Sequence, residues 1–182
     1  MPLSPPAERE LQHTRKYDFR GYSRADGLWD IEGHLTDVKT YGFDNAHRGR
    51  IEAGDPIHDM WIRLTIDEQL IVHEIEAVTD AGPYGICPAI TPNFQKIKGD
   101  RIGAGWRARV REKLGGTEGC THLVEMLGAM ATAAYQTLYP ALARKAAGKP
   151  VTRRPALIDS CHAFASDGEV VKKQWPDFYT GS

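Results

Sequence analysis

Cys87 and Cys120, with His58, Asp59 and His122, are the residues of this chain whose types could combine in one reaction centre. Thiolate, imidazole and carboxylate are donors that zinc and iron accept, and a thiolate is also a nucleophile. Cys120 follows Gly115-Gly116-Thr117-Glu118-Gly119 and opens an apolar run with helical spacing. A thiol in the first turn of a helix meets the positive end of the macrodipole, which favours its ionised form. His122 stands two positions on. Residues i and i+2 do not share a helix face, so it can serve as base or second ligand only if that turn is irregular. The ordinary role of a free cysteine, a small buried residue, is the competing reading.

Cys87 lies in Pro83-Tyr84-Gly85-Ile86-Cys87-Pro88, a turn directly after an expected strand. His58-Asp59 begins the partner strand of the same hairpin. The start of one antiparallel strand lies beside the end of the other, so His58, Asp59 and Cys87 are expected at one edge of a sheet. Zinc takes about four such ligands, and the separate segments would supply them only through the fold, since no CxxC or HxxxE spacing is present. His34 and Asp37 lean to opposite faces of an earlier strand, and Cys161-His162 falls in an irregular segment. Arg101, Arg107, Arg109 and Arg111 read as a solvated helix face or, at most, an anion site. Gly103-Ala104-Gly105 has neither a preceding strand nor a phosphate-loop lysine, which argues against nucleotide binding.

The elements that must position these residues are legible from periodicity. In Leu28–Val38, Trp29, Ile31 and Leu35 share one face, with Asp30, Glu32, His34 and Thr36 on the other. Asp26-Gly27 is a hairpin signal that makes Tyr17–Tyr22 a preceding strand. Residues 41–57 read as a long surface loop. Met60, Ile62, Leu64 and Ile66 alternate with Trp61, Arg63 and Thr65, and Asp67-Glu68-Gln69 turns the chain. The return strand runs from about Leu70 to Thr79, with Ile71, Ile75 and Ala77 on a common face. Beyond Pro83 the period becomes helical: a short segment Pro92–Lys98, then Ile102–Leu114, stopped by Gly115-Gly116. Last comes a long helix from about Cys120, carrying Leu123, Met126, Leu127, Met130, Ala134 and Leu138. Pro140 is expected to kink or end that helix, with a further turn over Ala141–Ala147, and Ala156–Ser160 could form a short strand. Strands followed by helices predict an α+β domain: an antiparallel sheet of three to four strands, covered on one face by helices. Residues 1–14 are expected to be a flexible Pro-rich arm and 15–182 one domain.

Composition narrows the function classes. The 182 residues are 41% hydrophobic and 26% charged, which is globular rather than disordered, and the net charge of −1 leaves no footprint for nucleic acid or a membrane surface. The N-terminus lacks a basic region followed by an apolar run, so a signal peptide is not expected, and no stretch approaches the roughly 18–20 apolar residues of a membrane span. Three cysteines, an odd and widely spaced set, do not make a disulfide framework. A reduced cytoplasmic setting with free thiols is the expectation.

Two resemblances add to this. Arg24-Ala25-Asp26-Gly27-Leu28-Trp29-Asp30-Ile31-Glu32-Gly33-His34-Leu35-Thr36-Asp37 and Gly115-Gly116-Thr117-Glu118-Gly119-Cys120-Thr121-His122-Leu123 resemble an uncharacterised bacterial family, a domain of unknown function, over nearly the whole chain. Residues 58–139 are also similar in layout to the iron-sulfur scaffold proteins of the IscU/NifU type and their zinc-binding SufU relatives. His58-Asp59-Met60 enters the strand, Cys87 follows the hairpin, Lys98-Gly99-Asp100 ends a helix and Cys120 opens the last one. That likeness implies an IscU/SufU-like core in which Asp59, Cys87 and Cys120 take ligand positions, with His58 in place of the first cysteine. The chain departs from the pattern in lacking that first cysteine and in carrying Gly119 before the last one. A mononuclear metal site, or a thiol-dependent site on the same fold, is therefore easier to defend than a transferred cluster.

The leading expectation is a metal-binding protein holding zinc or iron through His58, Asp59, Cys87 and Cys120, with His122 nearby, for metal or sulfur handling or metal-assisted catalysis. The alternative is a metal-free enzyme with Cys120 as activated thiolate and His122 or His58 as base. A third reading is a non-catalytic subunit that docks a protein partner through the Trp29/Trp61 region and the N-terminal arm.

Overall fold

Two turns frame the sheet. At Asp26-Gly27 the glycine takes φ +85° and Arg24 closes the loop through backbone hydrogen bonds with Gly27 and Leu28. At Asp67 the side-chain Oδ1 accepts the Gln69 and Ile71 amides while Leu70 adopts φ +64°. Around them, β1 (His13–Ser23), β2 (Trp29–Lys39), β5 (Pro56–Ile66) and β6 (Val72–Ala81) form one antiparallel sheet in the order β1-β2-β5-β6. The computed structural model describes residues 3–148 and 150–182, so Met1 and Pro2 of the expected arm lie outside the described residues. By compactness the chain divides into Met1–Leu142 and Ala143–Ser182. The α+β class and the four-stranded antiparallel sheet agree with the periodicity.

In the first unit one sheet face carries Ile31, Leu35, Met60, Ile62, Leu64 and Ile75, all buried. They share a core with Trp106, Val110 and Leu114 of α1 (Trp106–Leu114) and Leu123, Met126, Leu127, Met130, Ala134 and Leu138 of α2 (Thr121–Ala146). Each buried Val, Leu, Ile or Met side chain among them contributes about 1.5–3 kcal/mol by leaving water. Two strand glycines let α2 lie close. A Cβ on Gly33 would stand 2.8 Å from the Met130 sulfur, and one on Gly21 would stand 2.0 Å from the Thr137 hydroxyl.

Several local expectations change. The loop over 41–57 contains a small hairpin, β3 (Phe43–Asn45) with β4 (Gly49–Ile51), because the Asn45 side chain accepts the His47 and Arg48 amides and Gly49 takes φ +72°. Ile71 does not share the core face: a register shift between Thr65 and Ile66 seats Val72 there, and Ile71 bridges to Arg101. The segment after β6 is a 3-10 helix over Cys87–Ile97, starting earlier than Pro92. Pro88 and Pro92 lack the N–H groups an α-ladder would use there. Helix α1 starts only at Trp106, since Gly103 and Gly105 sit at positive φ just before it. Helix α2 runs through Pro140 to Ala146: one lost amide is outweighed by the following Ala141-Leu142-Ala143-Arg144-Lys145-Ala146, all strong helix formers. Residues 156–160 form turns, not a strand, with Ile158 and Ser160 amides bonded back to Pro155 and Leu157 carbonyls.

The second unit contains α3 (Glu169–Gln174) and short 3-10 turns at His162–Phe164 and Pro176–Phe178. Phe164 packs on Trp175 at 5.8 Å, and Asp159 accepts the Ser166 amide. Cys161 is exposed there. No described helix is long and apolar enough to cross a membrane.

Candidate functional site

Asp37 lies in phase with Ile31, Gly33 and Leu35, on the core side of β2, and is only 2% exposed. An isolated carboxylate there would be strongly disfavoured. Strand register supplies its partners: Arg15 of β1 and His58 of β5 stand directly opposite it. The Arg15 guanidinium grips both oxygens, Nε to Oδ1 at 2.8 Å and Nη2 to Oδ2 at 2.7 Å. His13 Nε2 lies 3.0 Å from Oδ1, and His58 Nδ1 lies 2.9 Å from Oδ2. Burial by itself would raise the Asp37 carboxyl, but hydrogen bonds and charge from Arg15, with bonds from His58 and His13, bring it down to about 2. An ionised carboxylate only accepts, so His58 Nδ1 is the donor and its Nε2 keeps a free lone pair.

Helix α2 brings the second imidazole. His122 sits in its first turn, 3.9 Å ring to ring from His58 and tilted by 38°. Its two nitrogens face different partners: Nε2 is 3.9 Å from Asp37 Oδ2, and Nδ1 is 3.8 Å from Cys120 Sγ. Cys120 occupies the position just before the helix, its carbonyl accepting the Val124 amide, so i and i+2 can approach here. Burial lowers the pKa of His58 against the opposing pull of Asp37. Burial also lowers His122, and repulsion from a protonated His58 and from the Arg15 guanidinium acts in the same direction. Both imidazoles are therefore neutral at pH 7, with lone pairs available.

These groups open on a cleft of about 460 Å³ whose walls include His58, Met60, Tyr84, Cys87, Cys120 and His122. Among the described residues, Asp37, His58 and His122 are the group whose ligand atoms all lie within 4.8 Å of one another.

Four of the expected residues, His58, Cys87, Cys120 and His122, thus line one cleft. Asp59 does not join them. Consecutive strand residues face opposite ways, so Asp59 leaves the core side and bonds His34 at 2.6 Å, while His34 stacks on Trp61 at 3.6 Å. The iron-sulfur scaffold layout would have required Asp59 beside the two cysteines. Of the two tryptophans expected at a docking surface, Trp61 is exposed and Trp29 packs against the core. On sequence grounds the carboxylate at the centre of the site, Asp37, figures only as a weaker candidate beside His34, and its partners Arg15 and His13 do not figure at all. Asp37 carried a usable signal: it falls on the apolar phase of its strand, where a charge requires partners.

Fold and site together define an α+β protein with a buried carboxylate–imidazole cluster at the foot of a thiol-lined cleft. The chain belongs to the family described as a protein of unknown function (DUF2889), which it matches over residues 13–136 and therefore across the sheet, the cleft and most of α2. No curated protein and no solved structure matches it.

Proposed function

We propose that this domain holds a divalent transition metal, zinc or iron, at Asp37, His58 and His122, with an open position toward the cleft. The observation that carries the reading is the convergence of three ligand atoms within 4.8 Å, two of them on histidines that line the cleft. The donors need lose no proton to bind at neutral pH, since the carboxylate is ionised and burial keeps both imidazoles neutral. Lone-pair accounting also fits. Oδ1 of Asp37 is occupied by His13 and Arg15, and Oδ2 by Arg15 and the His58 N–H; an ion between Oδ2 and Nδ1 would displace that one hydrogen bond, the proton moving to Nε2 in the other neutral tautomer. Three protein ligands beside a cleft make the arrangement of a reactive site rather than a closed structural one, where a bound ion polarises a substrate oxygen or activates water. Cys120 and Cys87 would then supply soft donors to an incoming ion or ligand.

Metal analysis of protein purified without chelator tests this. About one equivalent of zinc or iron per chain is expected, falling below about 0.2 in His58→Ala and His122→Ala. Wild-type protein that stays below about 0.2 equivalents, even after dialysis against zinc or iron(II), would exclude the site.

A second reading rests on the line Cys120–His122–Asp37, with His122 between thiol and carboxylate at 3.8 and 3.9 Å. That is the order of nucleophile, base and orienting group in a thiol enzyme. Its mark is alkylation of Cys120 with an apparent pKa below the free-thiol value of about 8.5, in metal-free protein, lost in His122→Ala. Alkylation no faster than in unfolded protein rules it out.

A further inference from the structure

Arg101, Arg107, Arg109 and Arg111 crowd α1 and the segment before it, and they divide into two pairs. Arg101 Nε donates to the Gln69 carbonyl at 2.9 Å, and Arg109 donates to the Ala104 carbonyl at 3.1 Å and to the Arg101 carbonyl. Those two have structural work tying down the loop. Arg107 and Arg111, one turn apart and exposed, are paired with no carboxylate among the described residues. Both line a groove of about 320 Å³ between α1 and α2, whose other walls are Val110, Val124, Gly128 and Ala129, with Glu125. Glu125 already faces a cation, Arg15 Nη1 at 3.6 Å. The two groove arginines are therefore left with a positive charge of about two over an apolar floor.

We propose that this groove binds a small phosphate monoester, its dianion between the Arg107 and Arg111 guanidiniums and its organic body against Val110, Val124 and Ala129. A guanidinium presents a planar fork that matches phosphate oxygens, and two forks one helical turn apart can share one phosphate. Gly128 keeps the groove open. Glycine is disfavoured inside a helix relative to alanine, yet here a Cβ would meet only Arg107, its nearest atom Nε at 3.5 Å, an ordinary contact. The glycine is thus not required by crowding, and its effect is to leave space beside Arg107. The site is independent of the cleft and of the metal proposed there.

Titration calorimetry with phenyl phosphate tests the proposal, with inorganic phosphate and with sodium chloride at matched ionic strength as controls. Phenyl phosphate should bind, more tightly than inorganic phosphate, and at least tenfold more weakly to Arg107→Gln/Arg111→Gln. Gly128→Ala should weaken binding as well while leaving the melting temperature of the free protein unchanged or higher, which separates groove filling from damage to the fold. Heat no greater than the chloride control, equal affinity for inorganic phosphate, or full affinity in the double variant would overturn it. So would capture by phosphatidate vesicles without any response to phenyl phosphate, which would assign the arginines to a lipid surface.

Discussion

Strands β2 and β5 carry two histidine–carboxylate pairs on opposite faces of the same sheet. Asp37 and His58 meet on the core side at 2.9 Å, and Asp59 and His34 meet on the outer side at 2.6 Å. By distance the outer pair is the closer. By surroundings it is the weaker, because Asp59 keeps 28% of its side chain exposed and Asp37 only 2%. Water screens the outer pair and leaves it free to part, as it does most surface ion pairs. The inner carboxylate has no water to fall back on, so Arg15, His13 and His58 must all hold it. Burial, rather than contact length, is what makes one of two similar pairs depend on side chains from both neighbouring strands.

The most severe way to break this comparison is to remove each carboxylate in turn. Asp37→Ala strands Arg15 and His58 against the core and should cost on the order of 3 kcal/mol in urea denaturation. Asp59→Ala should cost no more than about 1 kcal/mol. Equal losses would show that the faces do not differ.

Acid titration sharpens the same contrast. Asp37 titrates near 2 in the folded protein against an ordinary 3.8, so the unfolded chain binds its proton first. Its contribution, about 2 kcal/mol, is complete above about pH 4 and is lost as pH falls toward 2. His58 and His122 are both lowered from 6.5, so the unfolded chain again takes up protons first, and stability declines as pH falls below about 6.5. Stability measured from pH 7 to pH 2 should show both declines. The upper one should disappear in His58→Ala/His122→Ala, and the lower one in Asp37→Asn.

Smaller effects separate the faces further. Gly21→Ala forces a Cβ against Thr137 on the core side and should cost about 1–3 kcal/mol, read as a lowered melting temperature. Trp61→Ala removes only the stack on His34 at an exposed position and should cost about 1 kcal/mol or less.

Much of this arrangement could be read along the chain. Alternation in Leu28–Val38 and Met60–Ile66 announces the central strands, Asp26-Gly27 and Asp67-Glu68-Gln69 their turns, and the Leu123–Leu138 spacing the covering helix. His58 and Cys87 at one sheet end followed from the hairpin alone. Asp59 shares that sheet end, as the hairpin requires, but the pleat turns its side chain to the opposite face, onto His34. Asp37 was passed over because its partner on β2 was sought in His34, while both residues bond across to β5.

Local chemistry written in the residue order, with periods of two and 3.6 and turn formers between them, was enough to specify strands, helices and the face each buries. The meeting of Arg15, Asp37, His58 and His122 was not contained in any local pattern. It arises from the register of three strands and the seating of α2 on glycines 21 and 33. Register is fixed by turns and packing acting over the whole sheet, so residues more than a hundred positions apart become neighbours only once the core has closed.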